Sequence, residues 1–142
     1  MEYNYQEKKV VIVLYEKVEM GIALNICGHL SLALGALIGK DILGRVEHLD
    51  ASGIKHAGIS KYPVIITKTS LGKLRNTIHE ARDNQAITLI DYPKEMLETG
   101  HDDELNDAIS SKAEDQFEYF GAIFYGESSE ISTITGKFSL WR

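Results

Sequence analysis

The hydrophobic positions of the chain alternate between short continuous runs and helical repeats. Five consecutive apolar residues, 10–14, predict a strand that is covered on both faces and lies in the centre of a sheet. Residues 21–38 then repeat apolar side chains at helical spacing, and because this segment is apolar nearly all round we expect a largely buried helix. Gly28 and Gly35 lie one heptad apart in it, which predicts a close approach to the sheet or to a partner.

The rest of the chain continues the alternation of strands and helices. The pattern predicts, in order, a hairpin at 46–57 with a four-residue loop and Glu47 opposite His56, a strand at 62–68, a helix at 70–82 capped by Ser70, a strand at 86–90, a helix at 102–112, a strand at 119–126, one helical turn from Ser128 and a short strand at 137–141.

Strands that alternate with helices are typical of an α/β fold. We therefore expect a three-layer α/β/α sandwich with a mixed, mostly parallel sheet of about four strands. A chain of 142 residues fits a single domain, 1–142, in which 1–7 form a loosely ordered tail.

Composition narrows the possible partners. The formal net charge is -6, which argues against binding to a nucleic-acid backbone but does not exclude a local basic patch. Cys27 is the only cysteine, so no internal disulfide can form. The start of the chain lacks the features of a secretion signal, and uninterrupted apolar runs are shorter than the about 18 residues that a membrane span needs. We expect a cytoplasmic protein that does not enter a membrane.

The candidate site lies where the strands end. Ligands of α/β sheets collect beyond the carboxyl ends of the strands, and this edge would hold Lys17, Asn25, His29 and Asp91. Asn25 and His29 share one helical face and can orient a water or a ligand carbonyl, with His29 as a general base. His29 and Asp91 are therefore the catalytic candidates. The alternative is that Asn25 and His29 only bond the backbone of neighbouring loops.

Other sites are not indicated. Cys27 and His29 point to different faces of the helix, so Cys27 is expected to be a core residue rather than a nucleophile. The histidines fall in no zinc spacing, and there is no dinucleotide fingerprint, hydrolase elbow or metalloprotease motif. We expect neither a metal nor a cofactor.

An ordered set of short motifs carries a family resemblance over roughly residues 10–141. They are Met20-Gly21, Asn25, Cys27-Gly28-His29, Asp50-Ala51-Ser52-Gly53, His56-Ala57-Gly58, Ile90-Asp91, Phe120-Gly121-Ala122 and Thr135-Gly136. In this set the chain resembles the peptidyl-tRNA hydrolase type 2 fold, and more closely the bacterial proteins known as domain of unknown function 2000.

The resemblance implies the hydrolase fold rather than the hydrolase activity. Type 2 hydrolases carry Lys-Gly-Lys after the Met-Gly pair, where this chain has Ile22-Ala23-Leu24. Asp91 matches the aspartate that ends their third strand, but Tyr92-Pro93 does not match the residues that follow it. The first hypothesis is thus a small-ligand-binding protein. The alternatives are a peptidyl-tRNA hydrolase-like esterase and a non-enzymatic protein that acts as a homodimer, which fits the family's tendency to pair.

Overall fold

The computed structural model describes residues 2–142, so Met1, the first residue of the predicted tail, lies outside the described residues. Over this range the chain is a mixed α/β protein. Its elements are β1 (Lys8–Tyr15), α1 (Met20–Ile38), β2 (Glu47–Leu49), β3 (Lys55–Ala57), β4 (Val64–Thr69), α2 (Leu71–Arg82), β5 (Thr88–Pro93), α3 (Glu95–Glu98), α4 (Asp102–Ser110), β6 (Tyr119–Glu127), α5 (Ser128–Thr135) and β7 (Ser139–Leu140).

The main sheet has five strands in the order β5-β6-β1-β4-β7. Only β1 and β4 pair in parallel, while β1 with β6, β5 with β6 and β4 with β7 are antiparallel. The predicted mixed sheet is confirmed, but it has five strands and its pairs are mostly antiparallel, because β6 returns between β1 and β5. The strands β1, β4 and β5 nevertheless run in the same direction, so their carboxyl ends reach one edge of the sheet.

Strand β1 is the central strand, as its apolar run predicts. Side chains on one face of it pack with Ala23, Ile26, Leu30 and Leu34 of α1. Those on the other face, Val11 and Val13, pack with side chains of α2 and α5 such as Leu74, Ile78 and Ile131. Each fully buried aliphatic side chain contributes about 1.5–3 kcal/mol to folding, so β1 anchors the core on both faces.

Helix α1 is less buried than its sequence predicts. Ala23, Ile26, Leu30 and Leu34 are buried, but Met20, Leu24 and Leu32 are 56%, 64% and 75% exposed. Apolar residues occur around the whole circumference of α1, whereas the sheet covers only one side of the helix. By length and composition alone the segment Met20–Ile42 could cross a membrane, but a core helix can pass the same test, and its inner face packs on the sheet here.

The glycines of α1 do not bring it close to the sheet. A Cβ atom added at Gly28 or Gly35 would meet no atom within 4 Å. The close approach instead depends on Gly121 in β6, where a Cβ would lie 2.9 Å from Ile26 Cγ2 and 3.2 Å from Leu14 Cδ2. Of the two explanations for the α1 glycines, contact with the sheet is wrong and contact with a partner stays a prediction.

The hairpin β2–β3 forms its own two-stranded sheet, but its register differs from the predicted one. His48 pairs with His56 and Glu47 with Ala57, so Glu47 is not opposite His56. The side chain of Asp50 accepts hydrogen bonds from the amides of Ser52 and Ile54 at 2.8 and 2.9 Å. Because these bonds make Ile54 part of the loop, the pairing of β2 with β3 is shifted by one residue from the predicted one.

The helix after Ser70 matches its prediction closely. Helix α2 spans Leu71–Arg82, and the Ser70 hydroxyl accepts from the Lys73 amide. Strand β6 likewise agrees within a residue with the predicted strand at 119–126. The single turn expected after Ser128 is a longer helix, α5.

Candidate functional site

A cavity of about 410 Å³ lies between α1 and β5, at the edge where β5 ends. We call it the α1–β5 cavity. It is lined by His29, Leu30, Ala33, Ile90, Asp91, Tyr92, Met96, Asp102 and Leu105. Most of these side chains are apolar, and the polar ones, His29, Asp91 and Asp102, come from three separate elements. A small organic molecule fits a cavity of this size and character.

Two of the four predicted ligand-binding residues meet in this cavity. His29 and Asp91 both line it, whereas Lys17 and Asn25 do not. Lys17 lies in the exposed turn between β1 and α1, and Asn25 lies on the exposed side of α1. Neither Asn25 nor His29 makes a side-chain hydrogen bond to any of residues 2–142, so they do not serve to hold neighbouring loops.

His29 lies at the opening of the cavity, and Leu30, its neighbour in sequence, is buried in the core. The His29 side chain is exposed and its ring centroid lies 6.4 Å from that of Tyr92. Tyr92 is buried, and burial raises the pKa of its hydroxyl. The opening of the cavity therefore holds the imidazole of His29 beside the neutral ring of Tyr92.

Arg82 of α2 holds the Asp91 side chain in place. Arg82 Nη2 donates to Asp91 Oδ2 at 2.7 Å and to the Tyr119 hydroxyl at 2.9 Å. Asp91 Oδ1 has no protein hydrogen bond among the described residues. Strand alternation places this carboxylate on the α2 face of the sheet, while its neighbours Ile90 and Tyr92 pack on the α1 face.

Arg82 is itself part of a larger group, which we call the Glu114 cluster: Arg75, His79, Arg82, Glu114 and Tyr119. The Glu114 carboxylate accepts from Arg75 Nη1 at 2.8 Å, from His79 Nε2 at 2.7 Å and from the Tyr119 hydroxyl at 2.8 Å. Desolvation acts to raise the pKa of Glu114, but the hydrogen bonds from Tyr119 and His79 and the charge of Arg75 outweigh it and lower the pKa to about 2.

The outer wall of the cavity comes from the excursion between β5 and β6. Met96 belongs to α3, and Asp102 and Leu105 belong to α4. A buried carboxylate fixes this excursion, since Lys112 Nζ donates to Glu95 Oε2. Desolvation acts to raise the pKa of Glu95, but the hydrogen bond from Lys112 outweighs it, so the net pKa is lowered and the pair stays ionic.

The sequence did not identify Arg82, Tyr119, Glu114 or the α3 and α4 residues as parts of the site. Arg82 lies on a helix with other charged residues, so it looks like an ordinary surface arginine. The one usable signal was the set of apolar residues Leu105, Ala108 and Ile109 in an otherwise polar helix, since such residues pack against other apolar side chains. Within residues 2–142, no group of three or more His, Cys, Asp or Glu side chains is arranged to hold a metal.

Comparison with known proteins finds similarity to proteins of unknown function. The model of the family described as "Protein of unknown function (DUF2000)" matches residues 8–142. A solved structure of a protein of unknown function from Agrobacterium tumefaciens strain C58 is similar in fold, with a TM-score of 0.82 and 24% sequence identity over 96% of this chain and 98% of that chain. No curated protein sequence matches the chain.

Proposed function

Because the chain belongs to the DUF2000 family, whose function is unknown, we propose a function from the geometry of its site. The protein binds a small, largely apolar molecule in the α1–β5 cavity, and the ligand carries a hydrogen-bond donor or a positive charge. The observation that carries the proposal is that His29 and Asp91, from separate elements, line one cavity with mainly apolar walls.

The charges of the cavity favour a cationic or donor group on the ligand. Asp91 and Asp102 are its acidic residues, and no lysine or arginine lines it. The Asp102 carboxylate forms no ion pair with residues 2–142, whereas Arg82 holds the Asp91 carboxylate on the α2 face of the sheet. A ligand ammonium or hydroxyl that donates to the Asp102 carboxylate would form a charge-assisted hydrogen bond, and its apolar part would contact Leu30, Met96 and Leu105.

The proposal can be tested with a pair of probes that differ in charge. Amide chemical shifts are followed by NMR during titration with 2-phenylethylamine, which carries an ammonium, and with phenylacetate, which carries a carboxylate. We expect saturable shifts at His29, Ala33 and Tyr92 for the amine only. Asp102→Asn should weaken binding about tenfold, since a hydrogen bond between charged groups is worth about 1.5–3 kcal/mol.

Asp107→Asn is the matched control, because it removes the same charge from the exposed surface of α4, outside the cavity. It should bind the amine as the unmodified protein does. Equal binding of both probes, or shifts that map away from the cavity, would contradict the proposal.

We also infer the finer architecture and the location of the protein. The packing of α1 on one face of the sheet and of α2 and α5 on the other supports a three-layer α/β/α sandwich. The ordered motifs from Met20-Gly21 to Thr135-Gly136 support a relation to the peptidyl-tRNA hydrolase type 2 fold. The single free cysteine supports a reducing, cytoplasmic location.

A second proposed role, formation of a homodimer, is favoured by the exposed face of α1. The helix carries no charged residue, and its outward face holds Gly21, Leu24, Gly28, Leu32 and Gly35. This set is symmetric about Gly28. In an antiparallel pair of α1 helices related by a two-fold axis at Gly28, each Leu24 would face the partner's Leu32 and each Gly21 the partner's Gly35. A surface that matches itself in this way suits an isologous contact.

Light scattering coupled to size exclusion tests the homodimer. We expect a dimer at micromolar concentration and a monomer for Leu32→Glu, because the substitution places two carboxylates in an apolar contact. Leu49→Glu is the control, since Leu49 is 69% exposed on the separate β2–β3 hairpin. A monomeric unmodified protein would exclude this role, and a Leu49→Glu monomer would exclude the proposed surface.

A further inference from the structure

A second cavity, of about 260 Å³, lies at the same edge of the sheet where β1 and β4 end and α2 begins. Three lysines line it: Lys68 at the end of β4, Lys73 in the first turn of α2, and Lys137 shortly before β7. Glu16 is the single acidic residue in its wall. We call this cavity the lysine pocket. Its net positive charge contrasts with the overall charge of -6.

The positive charges of the lysine pocket have no internal partners. Across residues 2–142, no carboxylate lies within 4.0 Å of the ammonium groups of Lys68, Lys73 or Lys137. Lys68 and Lys137 instead lie over aromatic rings, with Nζ 6.0 Å from the Trp141 centroid and 5.4 Å from the Phe138 centroid respectively. Aromatic contacts hold these cations in position without neutralising them.

The backbone adds donors to the same cavity. Helix α2 has 12 residues, and its N-terminus opens at Ser70, which lines the pocket. The Ser70 hydroxyl accepts from the Lys73 amide at a long 3.4 Å. The amides of Leu71 and Gly72 have no acceptor among the residues that the structure describes. Free N–H groups at a helix N-terminus favour an anion, because the helix dipole is positive there.

Thr69 supplies an independent indication of a ligand. It is only 6% exposed, yet its hydroxyl has no hydrogen-bond partner within residues 2–142. Thr67, two residues earlier on the same face of β4, donates to the Ile12 carbonyl at 3.0 Å. Thr77 Oγ1 and Glu95 Oε1 are fully enclosed and have no partner in the described part of the chain. The Thr69 hydroxyl differs from them because it is open to the lysine pocket, which Thr69 lines. A hydroxyl that opens to the pocket and has no protein partner is free to bond a bound group.

We propose that the lysine pocket binds the phosphate group of a small phosphate monoester. A phosphate dianion offers acceptors to the ammonium groups of Lys73 and Lys137, to the Thr69 hydroxyl and to the free amides of α2. The cavity is larger than a phosphate ion and leaves space for a small organic group. Glu16 provides an acceptor for a hydroxyl on that group. This site shares no lining residue with the α1–β5 cavity.

The test is an NMR titration at constant ionic strength with inorganic phosphate and with glycerol 3-phosphate, using sodium chloride as the reference salt. We expect saturable shifts at the Thr69, Leu71 and Gly72 amides, with tighter binding of the ester than of free phosphate. Lys73→Ala and Thr69→Val should each weaken binding about tenfold, as expected for the loss of one charge-assisted hydrogen bond.

Lys40→Ala is the matched control, because Lys40 is an exposed lysine outside the pocket and likewise has no carboxylate partner in the described chain. Thermal unfolding confirms that each variant folds. The proposal is overturned if chloride reproduces the shifts or if Lys40→Ala weakens binding as much as Lys73→Ala. His29→Ala should leave phosphate binding unchanged, so failure here is distinguishable from failure of the α1–β5 cavity.

Discussion

Arg82 and Asp91 lie nine positions apart in the chain, and Arg82 Nη2 donates to Asp91 Oδ2 at 2.7 Å. The pair joins the last turn of α2 to β5, on which Asp91 lines the α1–β5 cavity. The pair thereby holds the Asp91 carboxylate on the α2 face of the sheet, while its neighbours Ile90 and Tyr92 pack on the α1 face.

Removal of the Arg82 guanidinium should lower stability and loosen Asp91. For Arg82→Met we expect a loss of about 1–2 kcal/mol in the free energy of unfolding, because the pair is only partly buried. Urea denaturation measures the loss. Lys55→Met is the control: it breaks the exposed ion pair with Glu47 and should change stability by less than about 0.5 kcal/mol. Equal effects of both variants would show that Arg82 acts as an ordinary surface residue.

Glu114 should make stability depend on pH in acid. Its folded pKa is about 2, below the ordinary value of 4.5, so the folded state binds the proton more weakly than the unfolded state does. The stabilisation is complete above pH 4.5 and is lost as the pH falls towards 2. Urea unfolding at several pH values should therefore show a shallower acid loss for Glu114→Gln than for the unmodified protein.

Asp115→Asn serves as the comparison for that experiment, since Asp115 is exposed and forms no ion pair with residues 2–142. It should keep the acid dependence of the unmodified protein. If Glu114→Gln also keeps it, the Glu114 cluster does not determine acid stability.

Gly28→Ala should separate folding from association. A Cβ at Gly28 meets no atom within 4 Å, and alanine is favoured over glycine in a helix by about 1 kcal/mol, so the free energy of unfolding of the monomer should rise. The added methyl groups would face each other at the proposed two-fold axis, so the dimer dissociation constant should also rise. Urea denaturation and light scattering measure the two effects. Gly121→Ala, in contrast, should destabilise the fold because its Cβ would lie 2.9 Å from Ile26 Cγ2.

We expect no hydrolysis of peptidyl-tRNA. The start of α1 has Ile22-Ala23-Leu24 where type 2 hydrolases have two lysines, and the α1–β5 cavity contains no basic residue other than His29. Release of an N-blocked amino acid from charged tRNA is the measurement, with an authentic hydrolase as the positive control. Turnover that disappears in His29→Ala would instead establish the esterase alternative.

The elements that could be predicted from sequence are those whose causes are local. Ser70 and the apolar repeat after it are enough to place α2, and five apolar residues in a row are enough to place β1 in the centre. Strand order was not predictable, because the position of β6 between β1 and β5 depends on pairings between residues more than 100 positions apart, such as Ile12 with Ile123.

The candidate site was likewise predictable only in those parts whose causes are local. His29 and Asp91 stood out because they are polar residues beside apolar runs. The contact of Asp91 with Arg82 depends on how α2 packs, which no local pattern encodes. The burial of α1 was overestimated because periodicity records which side chains are apolar, and Leu24 and Leu32 are apolar without contacting the core of their own chain.

The return of β6 between β1 and β5 also affects how ligands would act together. The α1–β5 cavity lies beside the end of β5, and the lysine pocket lies where β1 and β4 end, so the start of β6 separates the two along the edge of the sheet. Occupants of the two sites would therefore share no side chain. Their contributions to the free energy of unfolding should be additive, and each ligand should bind with the same affinity whether or not the other is present.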